Sequence, residues 1–109
     1  INLGNQNVWE LDIFSLDSVI NLTDLKLLPS KLSGTGEIFL GPNLEIDNLS
    51  LSGNYEVTVP NDLSILVKGQ AQVPDQWLDA SVGNLNNPDK TYTVVIEIID
   101  GSQVIFKDG

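Results

Sequence analysis

Alternation with a period of two runs through most of this chain and constrains its fold more than any other feature. Successive side chains on a strand point to opposite faces, so Trp9, Leu11 and Ile13 fall on one side and Glu10 and Asp12 on the other. The pattern returns in Leu44 and Ile46, in Tyr55, Val57 and Val59, in Leu63, Ile65 and Val67, and in Tyr92, Val94, Ile96 and Ile98. Each run predicts a half-buried strand. Turn-forming residues stand between the runs: Gly34 and Gly36, Gly41-Pro42-Asn43, Gly53-Asn54, Pro60-Asn61-Asp62, Asn86-Asn87-Pro88-Asp89 and Asp100-Gly101. Short strands with frequent turns predict an all-β fold. Residues 17–28 have leucines three apart at Leu22, Leu25 and Leu28, but β-branched Val19, Ile20 and Thr23 and the closing Pro29 favour a strand followed by a loop. Residues 74–88, around Trp77 and Leu78, have weak periodicity and read as either a loop or one helical turn.

A weak internal repeat bears on how the strands are arranged. The order apolar, small or polar, Gly, then alternating strand begins at Leu32, Leu51, Val67 and Ile99, with its glycines at 34, 53, 69 and 101. Stacked levels of a ladder-like or solenoid-like sheet give such a recurrence. A β-sandwich built of hairpins is the alternative, because regular strand spacing is common to both. At 109 residues the chain has room for one core, so residues 1–109 are expected to form a single domain. With 41% hydrophobic residues it can bury enough apolar surface to offset its ordering entropy.

Charge and missing residue types exclude several functions. Fifteen Asp and Glu oppose five lysines, Lys26, Lys31, Lys68, Lys90 and Lys107, for a net charge of −10. A nucleic-acid or anionic-membrane binder needs clustered cations to displace counterions, so neither partner is expected. Zinc, iron–sulfur and haem sites need His or Cys, and the chain has neither. The same absence removes Ser-His-Asp and Cys-His catalysis. Carboxylates at Glu10 with Asp12, Glu45 with Asp47, and Glu97 with Asp100 could serve glycosidic hydrolysis. The first two pairs, however, take the phase opposite the apolar residues, which makes them solvent-facing polar rows. The calcium loop D-x-[DN]-x-[DN]-G is absent, and Gly34-Thr35-Gly36 lacks the Lys of a phosphate loop. No catalytic residue, metal ligand or cofactor is therefore expected. Trp77 is the one candidate ligand contact, because it stands among polar residues, whereas Tyr55 and Tyr92 run in phase with the core.

The segment Gly53-Asn54-Tyr55-Glu56-Val57-Thr58-Val59-Pro60-Asn61-Asp62-Leu63-Ser64-Ile65-Leu66-Val67 resembles the most regular stretch of the C-terminal domain of LiaF-type bacterial envelope-stress regulators. The shared pattern is Gly, alternating strand, Val-Pro, one residue, Asp, second alternating strand. Trp9-Glu10-Leu11 is similar to that family's opening strand, and Val94 to Phe106 to its closing strand, Gly turn and final strand. Asn54 stands where the family commonly has Asp, Ser102-Gln103 adds a residue after the last Gly, and residues 74–88 match nothing specific. The wider superfamily of adhesin-type β-ladder domains, also called toastrack domains, repeats the same Gly-then-strand unit. The resemblance implies a toastrack arrangement and a non-catalytic sensing or interaction domain at the cell envelope of a bacterium. Its implied partner is a protein, in that family a membrane sensor kinase of a two-component system. Strand edges would also allow self-association. The alternative is a surface adhesin or glycan-binding module, with cell-wall glycan as ligand and Trp77 as contact. A first residue other than Met is expected of a processed chain or excised fragment, with any anchor outside these residues.

Overall fold

The computed structural model describes residues 2–3, 8–60, 63, 65–74 and 93–109. Among them the fold is all-β without a helix, and its strands are β1 (Asn2–Leu3), β2 (Val8–Trp9), β3 (Asp12–Leu22), β4 (Lys26–Leu27), β5 (Ser30–Leu40), β6 (Glu45–Val59), β7 (Ile65–Lys68), β8 (Val94–Ile98) and β9 (Gln103–Asp108). Every strand pairing described is parallel. A hairpin sandwich would need antiparallel neighbours, so that alternative is not the arrangement found.

Parallel neighbours require the chain to return to its starting side between strands. Here the return is made by the sheet itself, which curls, so each pass of the chain forms a level lying on the one before. Residues 19 apart pair across the first three levels, as in Asp12 with Lys31, Lys31 with Ser50 and Lys26 with Glu45, while Val8 pairs with Lys26 at a separation of 18. The first level is β2 with β3, the second β4 with β5, and the third β6. Inward side chains stack in columns: Leu27, Ile46, Val94 and Ile65; Leu32, Leu51 and Ile98; Ile20, Ile38, Val57 and Phe106. All of these are buried and belong to one continuous core. Burying one such side chain contributes roughly 1.5–3 kcal/mol.

The last two levels are out of chain order. β8 and β9 lie directly on β6, and β7 lies on β8. The segment from Val94 therefore fills the space between the third level and β7. Gln72 continues the β7 level, donating its N–H to Val104 O at 2.9 Å and accepting from Phe106 N–H at 2.8 Å. Beside the connection between β6 and β7, Gly109 N–H donates to Val59 O at 2.8 Å.

Two of the expected turns prove to be bends inside strands. Gly34 and Gly36 lie within β5, and Gly53-Asn54 within β6, so these strands run 11 and 15 residues. The reason is local. Gly34 and Gly53 take φ of 105° and 121°, which turns the strand without breaking its pairing. A Cβ on Gly34 would overlap the carbonyl oxygen of Ser15, and one on Gly53 that of Gly34. On the first level the same bend is made by a bulge, where Leu16 and Asp17 stand between the register pairs Ser15 with Gly34 and Ser18 with Gly36. Residues 17–28 begin as strand up to Leu22 and continue as loop, except for the short β4. Gly41-Pro42-Asn43 and Asp100-Gly101 lie outside strands, as expected. Trp77, Tyr92 and the turn at residues 86–89 lie outside the described residues.

Candidate functional site

Outward side chains also form columns, and these define the surface available for function. The column from Asp12 runs through Lys31, Ser50 and Glu97 to Lys68. Beside it, Asn48 Nδ2 donates to Ser50 Oγ at 3.2 Å and to Glu97 Oε1 at 3.3 Å, and Ser50 Oγ donates to the same oxygen at 3.3 Å. Glu97 is thus engaged by neutral donors on its own face, while Asp100 sits on the exposed turn that follows β8. Glu10, Asp12, Glu45 and Asp47 are all exposed, in the polar rows their phase predicts. Among the described residues no group of three or more His, Cys, Asp or Glu converges as a metal site would.

The aromatic residues divide as follows. Tyr55 is buried in the core, with its hydroxyl donating to Ser33 O at 2.8 Å. Trp9 packs against the core from the first level, and its buried Nε1 has no partner among the described residues. Trp77, the residue singled out as a ligand contact, lies outside the described residues.

Sequence reasoning passed over Phe14 and Leu16. They are 69% and 68% exposed, more than any other large apolar side chain described, and Val8 on the same level is 53% exposed. Phe14 heads a column whose next members are Ser33 and Ser52. The signal was available: Phe14 and Leu16 continue the phase of Glu10 and Asp12, so apolar groups occupy positions that face water. The backbone beside them is also paired along one side only among the described residues. Among the described residues β3 has β5 along one side, whereas along the other β1 pairs only with Asn21 and Leu22. Among the described residues, Asp12 to Leu16 therefore forms a strand edge with exposed apolar side chains, the kind of edge that can pair with another chain. A groove farther along, lined by Asp17, Thr35, Glu37, Asn54 and Glu56, is open to solvent and acidic. Within it Asp17 N–H donates to Thr35 Oγ1 at 3.0 Å and Thr35 Oγ1 to Asp17 Oδ1 at 3.2 Å, and Glu56 is paired with Lys107.

No family model, curated protein or solved structure matches the chain.

Proposed function

We propose that this chain is a non-catalytic sensing and protein-interaction domain of a bacterial envelope protein, with the solenoid-like, toastrack arrangement of the LiaF-type regulators it resembles. The observation that carries this reading is the edge of the first level, where Phe14 and Leu16 stand exposed on strand backbone that, among the described residues, is paired along one side only. An apolar patch on an open strand suits a protein partner better than a small substrate, which needs a concave site with converging polar groups. The corner after β6 supports the resemblance. β6 stops at Val59, Pro60 follows, and the next strand begins at Ile65, because Pro fixes φ and removes a pairing donor.

In this reading the partner is a membrane sensor kinase or its accessory, and contact with the domain shifts it between active and inactive states. No described helix is long and apolar enough to cross a membrane. The anchor of an envelope regulator would then belong to other segments. The test is capture from detergent-solubilised bacterial envelopes with the tagged domain, followed by mass spectrometry. Enrichment of a sensor kinase, lost in Phe14→Ser/Leu16→Ser, is the expected result. Recovery of wall glycan alone, lost in Trp77→Ala, would replace this reading by a surface adhesin or glycan-binding module. Recovery of neither would overturn it.

A further inference from the structure

The outward strip of the first level has its charges at one end and its apolar groups at the other. Glu10, Asp12, Phe14 and Leu16 keep one phase, and all four are exposed. Residues 8–19 hold no Lys or Arg, and neither Glu10 nor Asp12 is in an ion pair among the described residues. The backbone of the strip is asymmetric too. Lys31 N–H donates to Leu11 O at 2.9 Å, so Leu11 and Ile13 turn their polar backbone groups toward β5. Successive residues of a strand alternate in this respect, which aims the N–H and C=O of Asp12 and Phe14 at the opposite flank. Among the described residues no strand pairs with that flank before Asn21.

We infer that this strip takes an extended cationic segment of a partner protein, added as a strand parallel to β3, with Lys or Arg facing Glu10 and Asp12 and apolar side chains on Phe14 and Leu16. Charge selects the occupant. A second copy brings a net charge of −10 and an acidic strip of its own, and an anionic lipid surface is repelled in the same way, whereas a basic segment is attracted. The chain already makes this pairing once, because β5 sets Lys31 directly beside Asp12 in a parallel register. Facing residues share one face of the sheet, so the segment carries its cations and then its apolar groups at every second position. A slip of one residue would set its intervening residues against the strip instead. The inference rests on the proposed protein-interaction reading and names the chemistry of the partner's segment.

The test is fluorescence anisotropy of a labelled synthetic peptide titrated with the 109-residue chain. The peptide alternates threonine with two lysines and then two leucines, and it should bind more weakly as salt is raised. Replacing its lysines by glutamates, or methylating the backbone nitrogens that face the edge, should each weaken binding more than about tenfold. In the protein, Glu10→Gln/Asp12→Asn should cost about fivefold and Phe14→Ser/Leu16→Ser more than about tenfold. Glu45→Gln/Asp47→Asn removes the same charge from exposed positions on the third level and should leave binding within about twofold. All the substituted side chains are exposed, so circular dichroism melts should stay at the parent value. No binding, equal binding of the lysine and glutamate peptides, or equal losses from the two acid-neutralised variants would overturn the proposal. Indifference to the methylated backbone would overturn strand addition, and equal binding of a peptide with its leucines first would overturn the parallel direction. Peptide binding without capture of a kinase leaves this inference standing and removes the kinase; capture of a kinase with no preference for the cationic peptide overturns this inference alone.

Discussion

At matching positions around the curl, the first level and the two that follow it solve different problems. The outward column that begins with Phe14 continues as Ser33 and Ser52, and the neighbouring inward column reads Ile13, Leu32 and Leu51. Leu32 and Leu51 are 1% and 0% exposed, while Ile13 is only partly buried. All three have the same local pattern. What separates them is the number of flanking strands among the described residues, two in the middle and one at the end, so burial here is set by neighbours far away in sequence. A level with one open side cannot complete its own core, and the first level also carries the most exposed apolar side chains described, Phe14 and Leu16.

The largest effect expected from this comparison concerns the bend in the middle levels. Gly53→Ala places a Cβ against the backbone of the adjacent level at a φ of 121°, and should cost more than about 4 kcal/mol, abolishing the cooperative thermal transition. Gly101→Ala is the matched control. Its φ is 88° but nothing lies within 4 Å of the added Cβ, so the loss should stay near about 1 kcal/mol. Equal losses at the two glycines would break the account of close stacking between levels.

Next in size is truncation of the core column. Leu51→Ala should cost about 3–4 kcal/mol in denaturant unfolding and Ile13→Ala about half of that, because the end of the column already meets solvent. If the two cost the same, the first level is as well covered as the third. Ser30→Ala should then cost about 1–3 kcal/mol. The buried Ser30 Oγ accepts from Leu11 N–H at 2.9 Å and donates to Leu28 O at 2.7 Å, and Ala would leave both without that partner. The smallest change is expected at the surface pair of Lys107 Nζ and Glu56 Oε2, 3.0 Å apart and about half exposed. Glu56→Gln should shift stability by less than about 1 kcal/mol, and less still in high salt.

The faces of the strands were legible in the sequence. Leu44 and Ile46, Tyr55, Val57 and Val59, Ile65 and Val67, and Val94, Ile96 and Ile98 are all buried, as their alternation predicts. The level repeat was only partly legible, because glycine was the wrong marker for it. Gly34 and Gly53 do stack at a spacing of 19, but Gly101 has no such neighbour and Gly69 sits against Ile98. A better marker is Asp24-Leu25-Lys26-Leu27, Asn43-Leu44-Glu45-Ile46 and Asp62-Leu63-Ser64-Ile65, which recur every 19 residues. Asp24 and Asn43 take φ of 53° and 59°, a region these residue types tolerate. They stack through a hydrogen bond of 2.7 Å from Asn43 Nδ2 to Asp24 Oδ1. The insertion of the Val94 segment ahead of β7 was not legible at all. Local pattern carries strand and face, whereas the choice of neighbour is a contest among similar apolar strands that only the whole core decides. The candidate edge was visible in the phase of Phe14 and Leu16, but its openness depends on which strand lies beside it.

Parallel stacking of levels is the central claim, and interstrand proton contacts by nuclear magnetic resonance test it most directly. Between residues 30–39 and 49–58, contacts should link positions with a constant difference, such as Ser33 with Ser52 and Ile38 with Val57. Contacts whose residue numbers instead keep a constant sum, the signature of antiparallel pairing, would contradict it.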